Sequence, residues 1–243
     1  MRIYGINPVL EGLRAGRVTA LRVATRSDER LREIVRTAER QGVPVRHVEG
    51  NELDRVASHR PHQGVVADVK ERESWSLEEL VSGAHAAPLL VVLDGVEDPH
   101  NVGAILRTVD AAGADGVVRQ TRHAARLDGA VAKASAGAVE HVRIADVVNV
   151  ARALASLKEL GVWTVGFDAD APTRYDSLDL TAPTAFVVGA EGVGLRRLVR
   201  DRCDWLVSIP MAGHVSSLNV SVAAGVALFE AVRQRFQSAG RPK

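Results

Sequence analysis

Two stretches in the last third of this 243-residue chain carry residue types that can build a ligand site largely from backbone. The first is Val187-Val188-Gly189-Ala190-Glu191-Gly192-Val193-Gly194-Leu195, and the second is Ile209-Pro210-Met211-Ala212-Gly213-His214-Val215-Ser216-Ser217-Leu218-Asn219-Val220-Ser221. Each follows a short apolar, strand-like run and leads into a helix-like pattern. Glycines at 189, 192 and 194 permit positive φ and close approach of main-chain amides to a ligand, and helix N-termini beside them favour anionic groups. An upstream stretch, Leu93-Asp94-Gly95-Val96-Glu97-Asp98-Pro99-His100-Asn101-Val102-Gly103-Ala104-Ile105-Leu106-Arg107-Thr108, adds Asn101 and Arg107.

Each of these residues also has a plain structural role. Gly189–Gly194 can be a tight turn, Asn101, Ser217 and Asn219 can cap helices, and Glu191 can offset a helix N-terminus. Arg107 can be a solvated arginine paired with Asp110 at i+3, with Gly103 one turn away as a bare backbone patch. The pairing of the two downstream stretches favours a site, because strand ends that open into helices gather at the edge where open α/β folds bind ligands. His100 and His214 have the right chemistry for a general base but read first as loop polar groups. His59 and His62 lack partners at metal-ligand spacing, and Cys203 is the only cysteine, so no metal site and no internal disulfide are expected.

The elements that position these residues follow from periodicity. In the first part, strands are expected at 21–25, 43–48 and 64–69. Between the first two lies an amphipathic helix with Leu31, Ile34, Val35 and Ala38 on one face and Gly42 as its stop. Residues 71–87 look like a linker with a short helix around Leu77–Val81. Strands at 89–93, 116–118, 141–144, 162–167, 185–188 and 205–209 then alternate with helices at 102–112, 127–136, 148–160 and 219–236. That alternation predicts a parallel sheet covered by helices.

Apolar residues make up 46% of the chain and net charge is +1, which describes a globular protein that does not hold nucleic acid by bulk charge alone. Residues 1–73 hold 14 Lys+Arg against 11 Asp+Glu, and residues 74–243 hold 17 against 19, so the basic excess lies in the N-terminal part. No apolar run approaches membrane-span length and no signal-peptide pattern follows Met1, so a cytoplasmic protein is expected.

The three stretches closely resemble the signature motifs of the SpoU (TrmH-type) RNA ribose 2′-O-methyltransferases. The opening Ile3-Tyr4-Gly5-Ile6-Asn7-Pro8-Val9-Leu10-Glu11 and the later Pro61-His62-Gln63-Gly64-Val65-Val66-Ala67 resemble the N-terminal domain of that family's rRNA guanosine branch. The resemblance implies an L30e-like RNA substrate-binding domain over 1–72, a linker over 73–87, and a SPOUT methyltransferase domain with a C-terminal trefoil knot over 88–243. It implies S-adenosylmethionine as cofactor, held by Gly189, Ile209 and Leu218, and a catalytic set of Arg107, Asn101, Glu191, Ser217 and Asn219. It also implies a homodimer through the C-terminal domain and 23S rRNA as partner, modified at a guanosine of the peptidyl-transferase region.

For methyl transfer to a ribose hydroxyl, alignment and electrostatics carry most of the catalysis. Arg107 is expected to grip the phosphate beside the target ribose and stabilise the developing 2′-alkoxide. A guanidinium is a poor base at neutral pH, although a deprotonated-arginine route stays open. Glu191 either holds Arg107 in its productive rotamer or takes part in proton transfer. The rival readings are a tRNA ribose methyltransferase, an antibiotic-resistance rRNA methyltransferase and a non-catalytic RNA-binding or assembly factor. A dehydrogenase is disfavoured because no Gly-x-Gly-x-x-Gly follows the first strand.

Overall fold

The structure, a computed structural model, describes residues 2–25, 28–58, 61–70, 74–122, 124–125, 127, 129–238 and 240. Met1, His59 and residues 71–73 of the expected linker lie outside these. The chain divides into two compact units, Met1–Glu73 with Arg126–His141, and Ser74–Ala125 with Val142–Lys243.

The first unit opens with β1 (Arg2–Tyr4) and α1 (Ile6–Arg14), continues through β2 (Val18–Ala24), α2 (Glu29–Arg40), β3 (Val45–Val48) and α3 (Gly50–Val56), and returns as β4 (Val65–Val69). Its sheet runs β1-β4-β2-β3, with β4 antiparallel to both neighbours and β3 parallel to β2. The α2 face buries Leu31, Ile34 and Ala38 as its pattern predicts, Asp28 caps it by accepting from the Leu31 N–H at 2.9 Å, and Gly42 takes a positive φ beyond its end. The two segments singled out in this part of the sequence meet. Gln63 Oε1 accepts from the Ile6 N–H at 3.1 Å, and the Gly5 N–H donates to Val65 O at 3.2 Å. The seven-residue α3 has too short a pattern to stand out from periodicity.

The second unit starts at Ser74. Its first helix, α4 (Leu77–Ser82), is closed by a capping box between Ser76 and Glu79, and buries Leu80 fully. Trp75, Leu77 and Val81 pack on the same core, and the Arg143 guanidinium lies 5.0 Å above the Trp75 ring centroid. The described part of the expected linker is therefore packed into this unit.

Next come β5 (Leu89–Asp94), α5 (Pro99–Ala112) and β6 (Gly116–Gln120). The following segment, α6 (Gly129–Ala134) with a 3-10 turn at Ala138–Glu140, belongs to the first unit. There Gly137 has a φ of 92°, a side chain at its position would overlap Glu11 of α1, and Glu140 pairs with Arg17. The second unit resumes with β7 (Ile144–Val147), α7 (Val150–Glu159), β8 (Trp163–Phe167), β9 (Thr173–Arg174), β10 (Thr184–Gly189), α8 (Arg197–Arg200), β11 (Trp205–Ser208) and α9 (Val220–Ser238).

These strands form one sheet, β7-β6-β5-β10-β8-β11-β9, parallel at every pairing. The central strands β5 and β10 read as unbroken apolar runs because both faces are covered by helices. The C-terminal end of α9 is tied down by Arg235, whose guanidinium donates to the carbonyls of Ala87, Pro88, Leu180 and Ala182. A planar five-donor fork suits that cluster of acceptors, which a lysine would not span.

Candidate active site

The C-terminal ends of β8, β10 and β11 surround a cavity of about 870 Å³. Gly189, Ile209 and Leu218, the residues expected to hold a cofactor, all line it, as do Glu191, Ser217 and Asn219. Phe167 and Asp168 at the end of β8, together with Met211, also line it and were not singled out from sequence. Their only signal was their place at a strand end and in the loop beside it.

The glycines act in two ways. Gly192 and Gly194 take positive φ values of 75° and 72°, which L side chains seldom adopt. Gly189 has no such φ; it is required because a Cβ there would overlap the backbone of Gly194 and Leu195. The Gly194 N–H donates to Ala190 O at 2.8 Å, so the loop closes on itself at its neck.

Asn219 joins the three motif stretches. Its Nδ2 donates to Asn101 Oδ1 at 2.9 Å and also to Glu191 Oε1. Its Oδ1 accepts from the Ser221 N–H at 2.9 Å and the Ser221 hydroxyl at 2.6 Å, so the same side chain caps α9. With the carbonyl end engaged by Ser221, the amide end is directed at Asn101 and Glu191.

Asn101 is not the N-cap of α5. Asp98 fills that position, accepting from the His100 N–H at 3.1 Å, and Pro99 opens the helix. The helix therefore starts three residues earlier than periodicity suggests, which places Asn101 in its first turn with only 6% exposure.

Arg107 lies on the exposed side of α5 and makes no hydrogen bond or ion pair with any described residue. The pairing with Asp110 does not form, Gly103 is buried, and Glu191 engages Asn219 in place of Arg107. Ser217, His100 and His214 are exposed. In the first unit, His62 bonds Asp54 at 3.1 Å and accepts from the Gly64 N–H at 3.0 Å. Among the described residues, no group of three or more His, Cys, Asp or Glu side chains is placed to hold a metal ion. Burial, reinforced by the charges of Asp204 and Asp94, pushes the Cys203 thiol up to about 12, so it stays protonated and unreactive at neutral pH.

A further set of polar side chains lies behind the loop. Asp94, which ends β5 and has a fully buried side chain, accepts from the Arg196 N–H at 2.8 Å and from Arg196 Nε at 2.7 Å. Arg196 Nη2 reaches on to Gln120 Oε1, at the end of β6, at 2.6 Å. Asp94 could have been noticed as the one charge closing an otherwise apolar strand, but its partner stands 102 residues away.

A family model described as the SpoU rRNA Methylase family matches residues 88–229, and one described as RNA 2′-O ribose methyltransferase substrate binding matches residues 2–75. The chain belongs to the SpoU rRNA methylase family. Among curated relatives, the 23S rRNA (guanosine-2′-O-)-methyltransferase RlmB of Pseudomonas syringae pv. tomato is 47% identical over 240 residues, covering 96% of each chain. The protein of the same name from Vibrio cholerae is 45% identical over 235 residues, covering 96% of this chain and 95% of its own. The fold is similar to the crystal structure of the SpoU methyltransferase AviRb from Streptomyces viridochromogenes in complex with AdoMet. That match has a TM-score of 0.81 and 29% identity, and covers 98% of this chain and 91% of the other. It is also similar to an AdoMet-bound rRNA methyltransferase from Sinorhizobium meliloti, with a TM-score of 0.77, 25% identity and coverage of 96% and 86%.

Proposed function

We infer that the protein transfers the methyl group of S-adenosylmethionine to a ribose 2′-hydroxyl of RNA, at a guanosine of 23S rRNA in the peptidyl-transferase region. The observation that carries the reading is Asn219: one amide at the edge of the cavity joins Asn101 and Glu191, and so all three motif stretches. The cavity fits the cofactor on its own chemistry. Its volume suits a drug-sized ligand, and its walls combine loop backbone with apolar side chains such as Met211 and Leu218.

Gly189, Ile209 and Leu218 would hold the cofactor, which when bound supplies a methyl group on a positively charged sulfur. The remaining work falls to the chain. Arg107 grips the phosphate beside the target ribose and stabilises the 2′-oxygen as its proton leaves. Asn219 keeps Glu191 at the edge of the cavity, where its carboxylate can take part in proton transfer, and Ser217 adds a polar group to the same wall. Titration with S-adenosylmethionine, followed by labelled-methyl incorporation into 23S rRNA and tRNA, tests the reading. Saturable binding and incorporation into 23S rRNA are expected. Incorporation into tRNA alone would overturn the substrate, and binding without transfer would point to an RNA-binding or assembly factor.

We assign residues 1–72 to an L30e-like RNA substrate-binding domain, 73–87 to the connecting segment, and 88–243, apart from the 126–141 segment that packs with the first unit, to a SPOUT methyltransferase domain whose C-terminal part forms a trefoil knot. The mixed four-stranded sheet supports the first assignment, and the packing of α9 on both α5 and β10 supports the last. The protein acts as a homodimer through this second domain. Val222, Phe229 and Phe236 stand 49%, 51% and 58% exposed at seven-residue spacing along α9, an apolar stripe that a second copy would cover. Phe229→Glu should shift the molar mass in light scattering from dimer to monomer. The protein works in the cytoplasm; no described helix is long and apolar enough to cross a membrane, and fractionation would check the compartment.

A further inference from the structure

We propose that Asp94, Arg196 and Gln120 are positioning residues that hold the Gly189–Arg196 loop in the shape that receives the methyl donor, an inference resting on the reading of the cavity as the S-adenosylmethionine site. Residues 191–194 are exposed, so no core packing orders them. Apart from Glu191, which Asn219 holds, their shape must come from the two ends. At the neck, Gly189 lies against the backbone of Gly194 and Leu195, and the Gly194 N–H closes onto Ala190 O. At the far end, one buried carboxylate holds both the main chain and the side chain of Arg196.

This arrangement differs from an ordinary surface ion pair. The Asp94 side chain has no exposure, and water cannot compete for a carboxylate that already accepts from two N–H groups of one residue. Because one bond goes to the backbone of residue 196, the network fixes the chain itself, immediately after Leu195. The planar guanidinium then extends the hold to Gln120, so two strand ends fix one loop. None of the three lines the cavity, so they act through Gly189, Glu191 and Leu195, which do. An anchored loop binds its ligand without first being ordered, which is the advantage of preorganisation.

The test is steady-state methylation of 23S rRNA by the full chain, varying S-adenosylmethionine and RNA separately, well below the unfolding temperature. Arg196→Ala should raise KM for S-adenosylmethionine about tenfold, the scale of one lost charge-assisted anchor, while kcat at saturating donor falls less than about threefold. KM for RNA should stay within about twofold of wild type. Arg196→Lys should recover part of the donor KM, because an ammonium meets Asp94 but cannot also span to Gln120. Should Arg196→Ala not fold, Gln120→Leu leaves the carboxylate pair intact and should raise donor KM about threefold. A lower unfolding temperature with unchanged donor KM, or a loss of kcat at unchanged donor KM, would overturn the network while leaving the cavity's reading intact. Wild-type protein that binds no S-adenosylmethionine would overturn that reading, and the proposal with it.

Discussion

The two sides of the proposed site are built differently. On the donor side, the loop from Gly189 to Arg196 is anchored by Asp94 and Gln120, and Asn219 uses both ends of its amide on Asn101, Glu191 and Ser221. On the acceptor side, Arg107 is exposed and has no hydrogen bond or ion pair to any described residue. In the proposed site the chain fixes the cofactor's half from its own contacts and leaves the Arg107 guanidinium, unpaired among the described residues, for the half that RNA would complete. A charge kept out of intramolecular pairs stays available for a phosphate.

The contrast is most directly broken by Arg107→Ala. Methyl transfer should fall by about 10³-fold with S-adenosylmethionine affinity within about twofold of wild type. Equal loss of binding and turnover, read by titration and labelled-methyl incorporation, would mean that the two sides are not separate.

Asn219 sharpens the donor side. Asn219→Ala should lower kcat by about 10²-fold and cost about 1 kcal/mol of stability through the lost cap. Asn219→Asp keeps a good cap but cannot donate to Asn101 or Glu191. It should therefore keep the helix cap, unfold somewhat below the wild-type temperature because its carboxylate faces that of Glu191, and lose activity. If Asn219→Asp retains turnover, the amide serves only the helix.

A smaller effect is expected at Gly189. Gly189→Ala must push Gly194 and Leu195 aside, costing about 1–3 kcal/mol in chemical unfolding, and S-adenosylmethionine affinity should fall with it. Unchanged affinity would mean that the loop's shape does not matter to the donor.

The mildest test concerns salt. RNA affinity should fall steeply as salt rises, whereas S-adenosylmethionine binding should change little. Arg30, Arg36 and Arg40 are all exposed on α2, and reversing each one that contacts a phosphate should lower the salt slope by roughly one unit. An unchanged slope after a wider set of reversals would show that the first unit does not engage RNA through its charge.

Much of this was legible from residue order. The apolar runs of β5 and β10, the amphipathic face of α2 and the glycine loop each carry a local period or a local backbone demand, and each lies where that signal puts it. Family resemblance directed attention to Asn101, Glu191 and Asn219, which the structure brings together. What stayed hidden was non-local or non-periodic. Nothing near Arg196 in sequence announces Asp94, and the start of α5 depends on Asp98 as cap and Pro99 as opener, not on apolar spacing. The three loop glycines read alike in sequence, as permitting either positive φ or close backbone approach; that Gly192 and Gly194 use the first and Gly189 the second, against Gly194 and Leu195, is visible only in three dimensions.

The segment Arg126–His141 has a consequence for how such a chain can be reshuffled. It belongs to the first unit, where Gly137 accommodates Glu11 and Glu140 pairs with Arg17, although the rest of that unit ends near residue 73. A single crossover that replaced the N-terminal stretch with one from a distant relative would set a foreign α1 against the resident Gly137 and Glu140. The unit is therefore inherited as two linked pieces instead of one cassette. Chimaeras exchanging 1–73 alone should fold poorly, and co-exchange of 126–141 should restore them.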